Sequence, residues 1–150
     1  KKSDLDKAIS NSLKFDNDIL IEEYISGREI TVGILDGEAL PIVEILPSHE
    51  IYDYKCKYTP GMTKYVCPAS LDEDLKNRIM LDSLKIFELL NCRGYGRVDY
   101  IIDNNNNYYF LEINTLPGMT STSLLPIAAK NADISFNKLV KIIIELGLSN

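Results

Sequence analysis

The sequence predicts a domain of the α+β class, in which helices pack on one side of an antiparallel sheet. Two hairpin patterns indicate the sheet. Segments 29–35 and 38–46 flank Asp36 and Gly37, a pair typical of two-residue type I′ turns. Segments 97–102 and 108–114, rich in β-branched and aromatic residues, flank an asparagine-rich turn. Helical periodicity before, between and after these hairpins favours one domain over residues 1–150.

The first half of the chain is predicted to be one helix followed by a β-meander. Residues 3–13 carry apolar side chains at helical spacing. Residues 18–25 resemble a strand, residues 26–28 form a turn, and Ile30, Val32 and Ile34 alternate along the next strand. Residues 47–68 are expected to be irregular, apart from a strand-like stretch at 52–58 that ends at a Thr-Pro-Gly turn.

The second half contributes helices around the second hairpin. Ser70, Asp72 and Glu73 belong to a capping box that opens a long helix, which ends before Gly94. After the hairpin we expect a loop at 115–122, a helix at 123–131, and a last helix from about Ser135. No repeat or linker interrupts this order.

Composition excludes several classes of function. The net charge is −6 and the lysines are scattered, which disfavours nucleic acid as a partner because phosphate backbones bind clustered cations. No apolar run approaches the ~20 residues of a membrane span. The three cysteines lack metal-ligand spacing and their odd number argues against a disulfide framework, which favours reduced thiols in the cytosol.

The polar face of the second hairpin resembles a metal site. A turn centred between positions 105 and 106 pairs Asp99 with Glu112 and Arg97 with Asn114 on one face. The residues expected on the other face are Val98, Tyr100, Leu111 and Ile113. Facing carboxylates at ~5 Å repel by roughly 3 kcal/mol at an effective dielectric of about 20, so the hairpin needs a cation. Two carboxylates and an amide suit Mg²⁺; the alternative is a solvated face with one carboxylate turned away.

The loop that follows this hairpin could hold an anion. Backbone N–H groups near Gly118 and at the helix start near Ser123 would favour a carboxylate or a developing oxyanion. The alternative is that residues 117–118 are only a turn and that Ser123 is only a helix cap.

Three segments together resemble the C-terminal part of the D-alanine:D-alanine ligases, a family of the ATP-grasp superfamily. They are 26–32 (SGREITV), 94–99 (GYGRVD) and 111–121 (LEINTLPGMTS), and the last is the most specific. The resemblance covers essentially the whole chain and implies an ATP-grasp C-terminal domain. It also implies that the N-terminal domain of the family is absent from this chain, so the isolated chain is expected to be inactive.

The resemblance implies that ATP phosphorylates one D-alanine and that the amine of a second D-alanine attacks the acyl phosphate, for peptidoglycan synthesis. Phosphate then leaves through a tetrahedral intermediate. Asp99, Glu112 and Asn114 are implied to hold two Mg²⁺ ions, or Mn²⁺, with Glu112 bridging them. Arg97 would stabilise charge on the transferring phosphoryl group and on the intermediate, and Lys57 would contact the γ-phosphate.

The resemblance also assigns contacts with the nucleotide. The matching positions are Glu22, Glu23, Ile25, Glu29, Ile51, Lys57 and Leu111. The segment around Glu22 and Glu23 would recognise the adenine edge, and the carboxylate of Glu29 would accept the ribose hydroxyls. Ile51 and Leu111 would form apolar faces around the base.

Further matched positions are implied to bind the amino acids. Gly118 would donate its N–H to the oxyanion, and Ser123 and Leu124 would hold the carboxylate of the second substrate. Tyr58 matches a tyrosine that closes over the site and favours D-alanine over D-lactate.

The resemblance further implies a cytoplasmic enzyme whose full-length form is a homodimer. Three alternatives remain open at this point. One is a D-alanine:D-lactate ligase or another ATP-grasp carboxylate-amine ligase, and the second is a catalytically silent nucleotide-binding module. The third, an acidic domain that acts by protein interaction alone, leaves the facing carboxylates unexplained.

Overall fold

The structure is a computed structural model, which describes residues 2–47 and 63–148. Its elements are α1 (Lys2–Ser12), β1 (Arg28–Leu35), β2 (Glu38–Ala39), β3 (Val43–Pro47), β4 (Thr63–Val66), α2 (Glu73–Leu89), β5 (Tyr95–Ile102), β6 (Tyr108–Asn114), α3 (Leu124–Asn131) and α4 (Phe136–Leu148). None of the helices in these ranges is long and apolar enough to cross a membrane. The predicted strand-like stretch at 52–58, with Lys57 and Tyr58, and the predicted contact Ile51 lie outside the described residues.

The strands form one antiparallel sheet with the order β4-β3-β1-β5-β6, and β2 pairs with β1. The predicted two-residue turn is confirmed. Leu35 pairs with Glu38, and Asp36 and Gly37 have φ values of 51° and 77°, as a type I′ turn requires. The antiparallel sheet of an α+β domain is therefore as the sequence predicts.

The helices pack on both faces of this sheet, which corrects the prediction of a single side. Ile30, Val32 and Ile34 of β1 belong to the core that contains Leu75 and Ile79 of α2. The opposite face of the same strand meets α3, because a Cβ at Gly33 would lie 2.8 Å from Leu125 Cδ1. Both faces of the central strand are thus buried, and α3 lies beside the polar face of the β5–β6 hairpin.

Four local predictions are also wrong. Residues 18–25 are not a strand, and the segment 38–46 is divided into β2 and β3. The strand β4 lies in a stretch that was expected to be irregular. The N-cap of α2 is Asp72, whose side chain accepts a hydrogen bond from the Leu75 N–H. Ser70 lies before this cap, and its carbonyl accepts a hydrogen bond from Arg28.

Contacts with both neighbouring strands, β5 and β3, fix the start of β1. A Cβ at Gly27 would overlap the carbonyl of Ile102 in β5, so only glycine allows this approach. Arg28 forms two hydrogen bonds with the Glu44 carboxylate of β3, at 2.7 and 2.8 Å. These contacts set the position of Glu29, the next residue, at one end of the candidate site.

Candidate functional site

The β5–β6 hairpin brings the predicted metal ligands together. Asp99 pairs with Glu112 and Arg97 with Asn114, as the sequence predicts. Nearer the turn, however, Tyr100 pairs with Phe110, so the turn is centred on position 105 and not between 105 and 106. A β-bulge beside Asp99 restores the predicted register, because one residue of β6 is left without a partner.

The unpaired residue of the bulge is Leu111, and its placement differs from the prediction. Leu111 was expected on the face away from Asp99 and Glu112, but it lines the same cleft as these two carboxylates. Its side chain is 45% exposed, so it offers an apolar surface within a polar site. The bulge therefore explains why Leu111 of β6 lies on the same face of the hairpin as the polar residues.

Both oxygens of the Asp99 carboxylate accept hydrogen bonds from protein donors. Arg97 donates from Nε to Oδ1 at 2.9 Å and from Nη2 to Oδ2 at 2.7 Å, and Thr31 Oγ1 lies 2.5 Å from Oδ1. The pair is nearly buried, with 13% and 10% of the side chains exposed. Arg97 lies two residues before Asp99 on the same strand and therefore on the same face, and its charge offsets that of the Asp99 carboxylate.

The loop between β6 and α3 is folded by its own side chains. The Leu116 N–H donates to Asn114 Oδ1 at 3.0 Å, and the Thr120 N–H donates to Ser123 Oγ at 3.0 Å. Ser123 Oγ also lies 2.8 Å from Thr120 Oγ1, whereas it makes no cap hydrogen bond to its own helix. A Cβ at Gly118 would lie 3.0 Å from Ser123 Oγ, so the glycine keeps the space in front of this hydroxyl open.

These elements enclose a cleft of about 730 Å³, which we call the polar cleft. Its lining residues are Glu22, Glu29, Ile45, Tyr65, Arg97, Asp99, Leu111, Glu112, Asn114, Gly118, Thr120, Thr122, Ser123 and Leu124. Ten of the predicted site residues are in this set. Glu23 and Ile25 are described but do not line the cleft, and Ile51, Lys57 and Tyr58 lie outside the described residues.

Sequence reasoning missed four lining residues. Ile45 and Tyr65 are direct partners in the β3–β4 ladder, and they were missed because β4 was not predicted. Thr120 and Thr122 belong to the predicted anion-binding loop, where the run of hydroxyl side chains was the available signal.

The cleft is acidic. Four carboxylates, those of Glu22, Glu29, Asp99 and Glu112, and the guanidinium of Arg97 give its described lining a formal charge of −3. A phosphorylated ligand would be repelled unless cations entered with it. Within residues 2–47 and 63–148, no three His, Cys, Asp or Glu side chains are grouped as a metal site. Two carboxylates and one amide would leave coordination positions for water or ligand oxygens, as Mg²⁺ commonly requires.

Comparison with known proteins identifies the family. Residues 1–145 match the family model described as D-ala D-ala ligase C-terminus. The D-alanine–D-alanine ligase of Methylacidiphilum infernorum is 48% identical over 144 residues, which are 96% of this chain and 48% of that protein. The corresponding ligase of Desulforamulus reducens is 45% identical, over 98% of this chain and 48% of that protein. The chain thus spans about half the length of the curated relatives it matches.

Solved structures show the same fold. The D-alanine–D-alanine ligase from Bacillus anthracis complexed with ATP superposes with a TM-score of 0.84 at 39% identity, over 99% of this chain and 49% of that chain. The VanG D-Ala:D-Ser ligase from Enterococcus faecalis superposes with a TM-score of 0.80 at 31% identity, over 97% of this chain and 43% of that chain. The chain therefore belongs to the D-alanine–D-alanine ligase C-terminus family and has its ATP-grasp fold.

Proposed function

We propose that a full-length protein containing this chain is an ATP-dependent ligase that joins two D-alanine molecules into D-alanyl-D-alanine. The observation that carries this proposal is the convergence of predicted residues in one place. Of the twelve predicted site residues that lie in the described ranges, ten line the polar cleft. They come from the segment before β1, from β1 itself, from both strands of the β5–β6 hairpin, and from the loop before α3 and the first residue of α3.

The donor set supports magnesium as the accompanying cation. Asp99, Glu112 and Asn114 offer only oxygen atoms, which is the ligand type that Mg²⁺ and Mn²⁺ prefer. Glu112 is exposed to the cleft, and Asn114 Oδ1 has a second lone pair beyond its bond with Leu116. We propose two ions, bridged by Glu112, whose charge would offset the phosphates of ATP in this acidic cleft.

The chain's own residues would then bind the amino-acid substrate and stabilise the charge that develops during the reaction. Arg97 donates to Asp99 and shares one face of the hairpin with Glu112, so its guanidinium would lie near a phosphoryl group that cations hold at these carboxylates. A fixed positive charge with fork geometry suits the charge that develops during phosphoryl transfer and in a tetrahedral intermediate. Gly118 would donate its N–H to the oxyanion, beside Ser123 and Leu124 for the carboxylate of the second amino acid.

The cleft also offers groups for the nucleotide. Glu22 and Glu29 supply carboxylates, and Ile45 and Leu111 supply apolar surface. We propose that Glu29 accepts the ribose hydroxyls and that the residues around Glu22 meet the base.

We propose D-alanine as the second substrate. Both curated relatives compared above, which are 45 and 48% identical to this chain, are named D-alanine–D-alanine ligases. The argument from Tyr58 against D-lactate stays a prediction, because Tyr58 is outside the described residues. The cytoplasmic location, which supplies ATP, and the homodimeric full-length form are further proposals.

The test is the exchange Glu112→Gln in the full-length protein, with Glu88→Gln as the control. Gln keeps the shape of Glu112 but removes the charge that would bridge the ions, so we expect D-alanyl-D-alanine formation to fall by at least about 100-fold. Glu88 is an exposed residue of α2, away from the cleft, and its exchange should leave the rate unchanged. Retained turnover in Glu112→Gln would contradict the proposed metal site.

A further inference from the structure

Thr31 lies beneath the predicted metal ligand Asp99, although neither the sequence motifs nor the cleft lining assigns it a role. The two residues are direct partners in the β1–β5 ladder, so their side chains share a face. Thr31 is 1% exposed and Asp99 is 7% exposed. Their contact is therefore shielded from water, in the middle of the sheet.

The hydroxyl proton of Thr31 is directed at the carboxylate. Thr31 Oγ1 lies 2.5 Å from Asp99 Oδ1 and 3.2 Å from the carbonyl oxygen of Val98. A hydroxyl has one proton to donate, and a charged acceptor at the shorter distance forms the stronger bond. Asp99 Oδ1 thus accepts from both Thr31 and Arg97 Nε, whereas Oδ2 accepts from Arg97 Nη2.

Arg97 and Thr31, which both donate to Asp99, differ in how freely their side chains can move away from the carboxylate. Arg97 has a long side chain and a second proposed partner, the transferring phosphoryl group. If Arg97 turned toward that group, Asp99 would lose both hydrogen bonds from Arg97 and keep the one from Thr31. Thr31 is β-branched and buried in a central strand, so its side-chain rotamer is fixed. Without it, the Asp99 carboxylate could rotate about its broad terminal torsion.

We propose that Thr31 is a positioning residue, which holds Asp99 Oδ1 through a hydrogen bond so that the carboxylate keeps its orientation for binding a divalent cation. The inference rests on the proposed function, because it needs Asp99 to be a metal ligand. A hydrogen bond of this kind behind a metal ligand raises metal affinity by roughly 10- to 100-fold in other sites.

The test measures Mn²⁺ binding directly, by electron paramagnetic resonance, to the full-length protein with a non-hydrolysable ATP analogue. Thr31→Val keeps the shape and removes the hydroxyl, and Thr31→Ser keeps the hydroxyl. We expect Thr31→Val to weaken Mn²⁺ binding about 10-fold or more, and Thr31→Ser to stay within about twofold of the wild type. Thr31→Ala is the second hydroxyl-free variant, should valine prevent folding, and a thermal melt reports on folding in each case.

Two outcomes would overturn the inference. If Thr31→Val and Thr31→Ala melt at lower temperature but bind Mn²⁺ as the wild type does, Thr31 is only a packing residue. Asp99→Asn separates this failure from a failure of the proposed function. If Asp99→Asn weakens Mn²⁺ binding and the Thr31 variants do not, only the proposed role of Thr31 is wrong. If Asp99→Asn binds Mn²⁺ as the wild type does, the proposal that Asp99 is a metal ligand is wrong.

Discussion

The ion pair between Arg28 and Glu44 is predicted to stabilise the contact between β1 and β3, two strands that line the cleft. It joins β1 to β3 one residue before Glu29 and Ile45, which both line the cleft. Arg28 also donates to the carbonyl of Ser70 at 2.8 Å, and its hydrogen bonds with Glu44 raise the pKa of the guanidinium. The proposed change is Glu44→Gln, which preserves the shape of the side chain and removes its charge.

The expected loss follows from the geometry. Hydrogen bonds to charged groups contribute about 1.5 to 3 kcal/mol each, and glutamine can replace only one of the two carboxylate acceptors. The Glu44 side chain is 10% exposed but that of Arg28 is 40% exposed, so water recovers part of the lost interaction. We therefore expect the free energy of unfolding to fall by about 1.5 kcal/mol.

The assay is urea unfolding of the chain, followed by circular dichroism. With an m-value of about 2 kcal/mol/M, the midpoint should fall by roughly 0.7 M. Glu73→Gln is the matched control, because Glu73 is paired with Lys76 within one helix and is 76% exposed, and it should change stability by less than about 0.5 kcal/mol. If Glu44→Gln changed the stability as little as the control does, the proposed support between β1 and β3 would be refuted.

Three further predictions concern packing and titration. Gly27→Ala should destabilise the chain by roughly 2 to 4 kcal/mol in urea, because its Cβ overlaps the Ile102 carbonyl; a neutral effect would refute the close approach. Burial raises the pKa of Cys67 to about 11, so little reactive thiolate is present at pH 8. Site-resolved labelling of Cys67 by iodoacetamide at pH 8 should therefore be at least about 50-fold slower than labelling of free cysteine, and an equal rate would contradict this. The Tyr108 hydroxyl donates to Asp82 and lowers the pKa of that carboxyl below 3.8, so this stabilisation is present above pH 3.8 and is lost as the pH falls further. The difference in free energy of unfolding between the wild type and Tyr108→Phe should therefore become smaller from pH 5 to pH 3. A difference that stays constant would argue against this stabilising hydrogen bond.

The sequence allowed the pairing of Asp99 with Glu112 to be predicted, although the turn was placed half a residue away from its position. The predicted register survives because the bulge at Leu111 compensates for the shift. A bulge has no strong sequence signal, so the accompanying prediction that Leu111 faces away from the cleft was wrong.

Other errors share one physical cause, since they concern contacts that the local pattern does not encode. Residues 18–25 have strand-like composition, but a strand forms only where a partner strand is available. Ile45 and Tyr65 reach the cleft through the β3–β4 pairing, which joins segments on either side of residues 48–62. The ion pair between Arg97 and Asp99 is predictable in principle, because residues two apart on a strand share a face, whereas the pairing across the hairpin does not reveal it.

We propose that the polar cleft binds ATP together with divalent cations held by the β5–β6 hairpin. Calorimetric titration of the full-length protein with a non-hydrolysable ATP analogue, with and without Mg²⁺, in the wild type and in Glu112→Gln, tests this directly. We expect the wild type to bind the analogue much more tightly with Mg²⁺ and Glu112→Gln to lose most of this difference. Binding that is equally tight without Mg²⁺, or a Mg²⁺ effect that Glu112→Gln leaves intact, would contradict it.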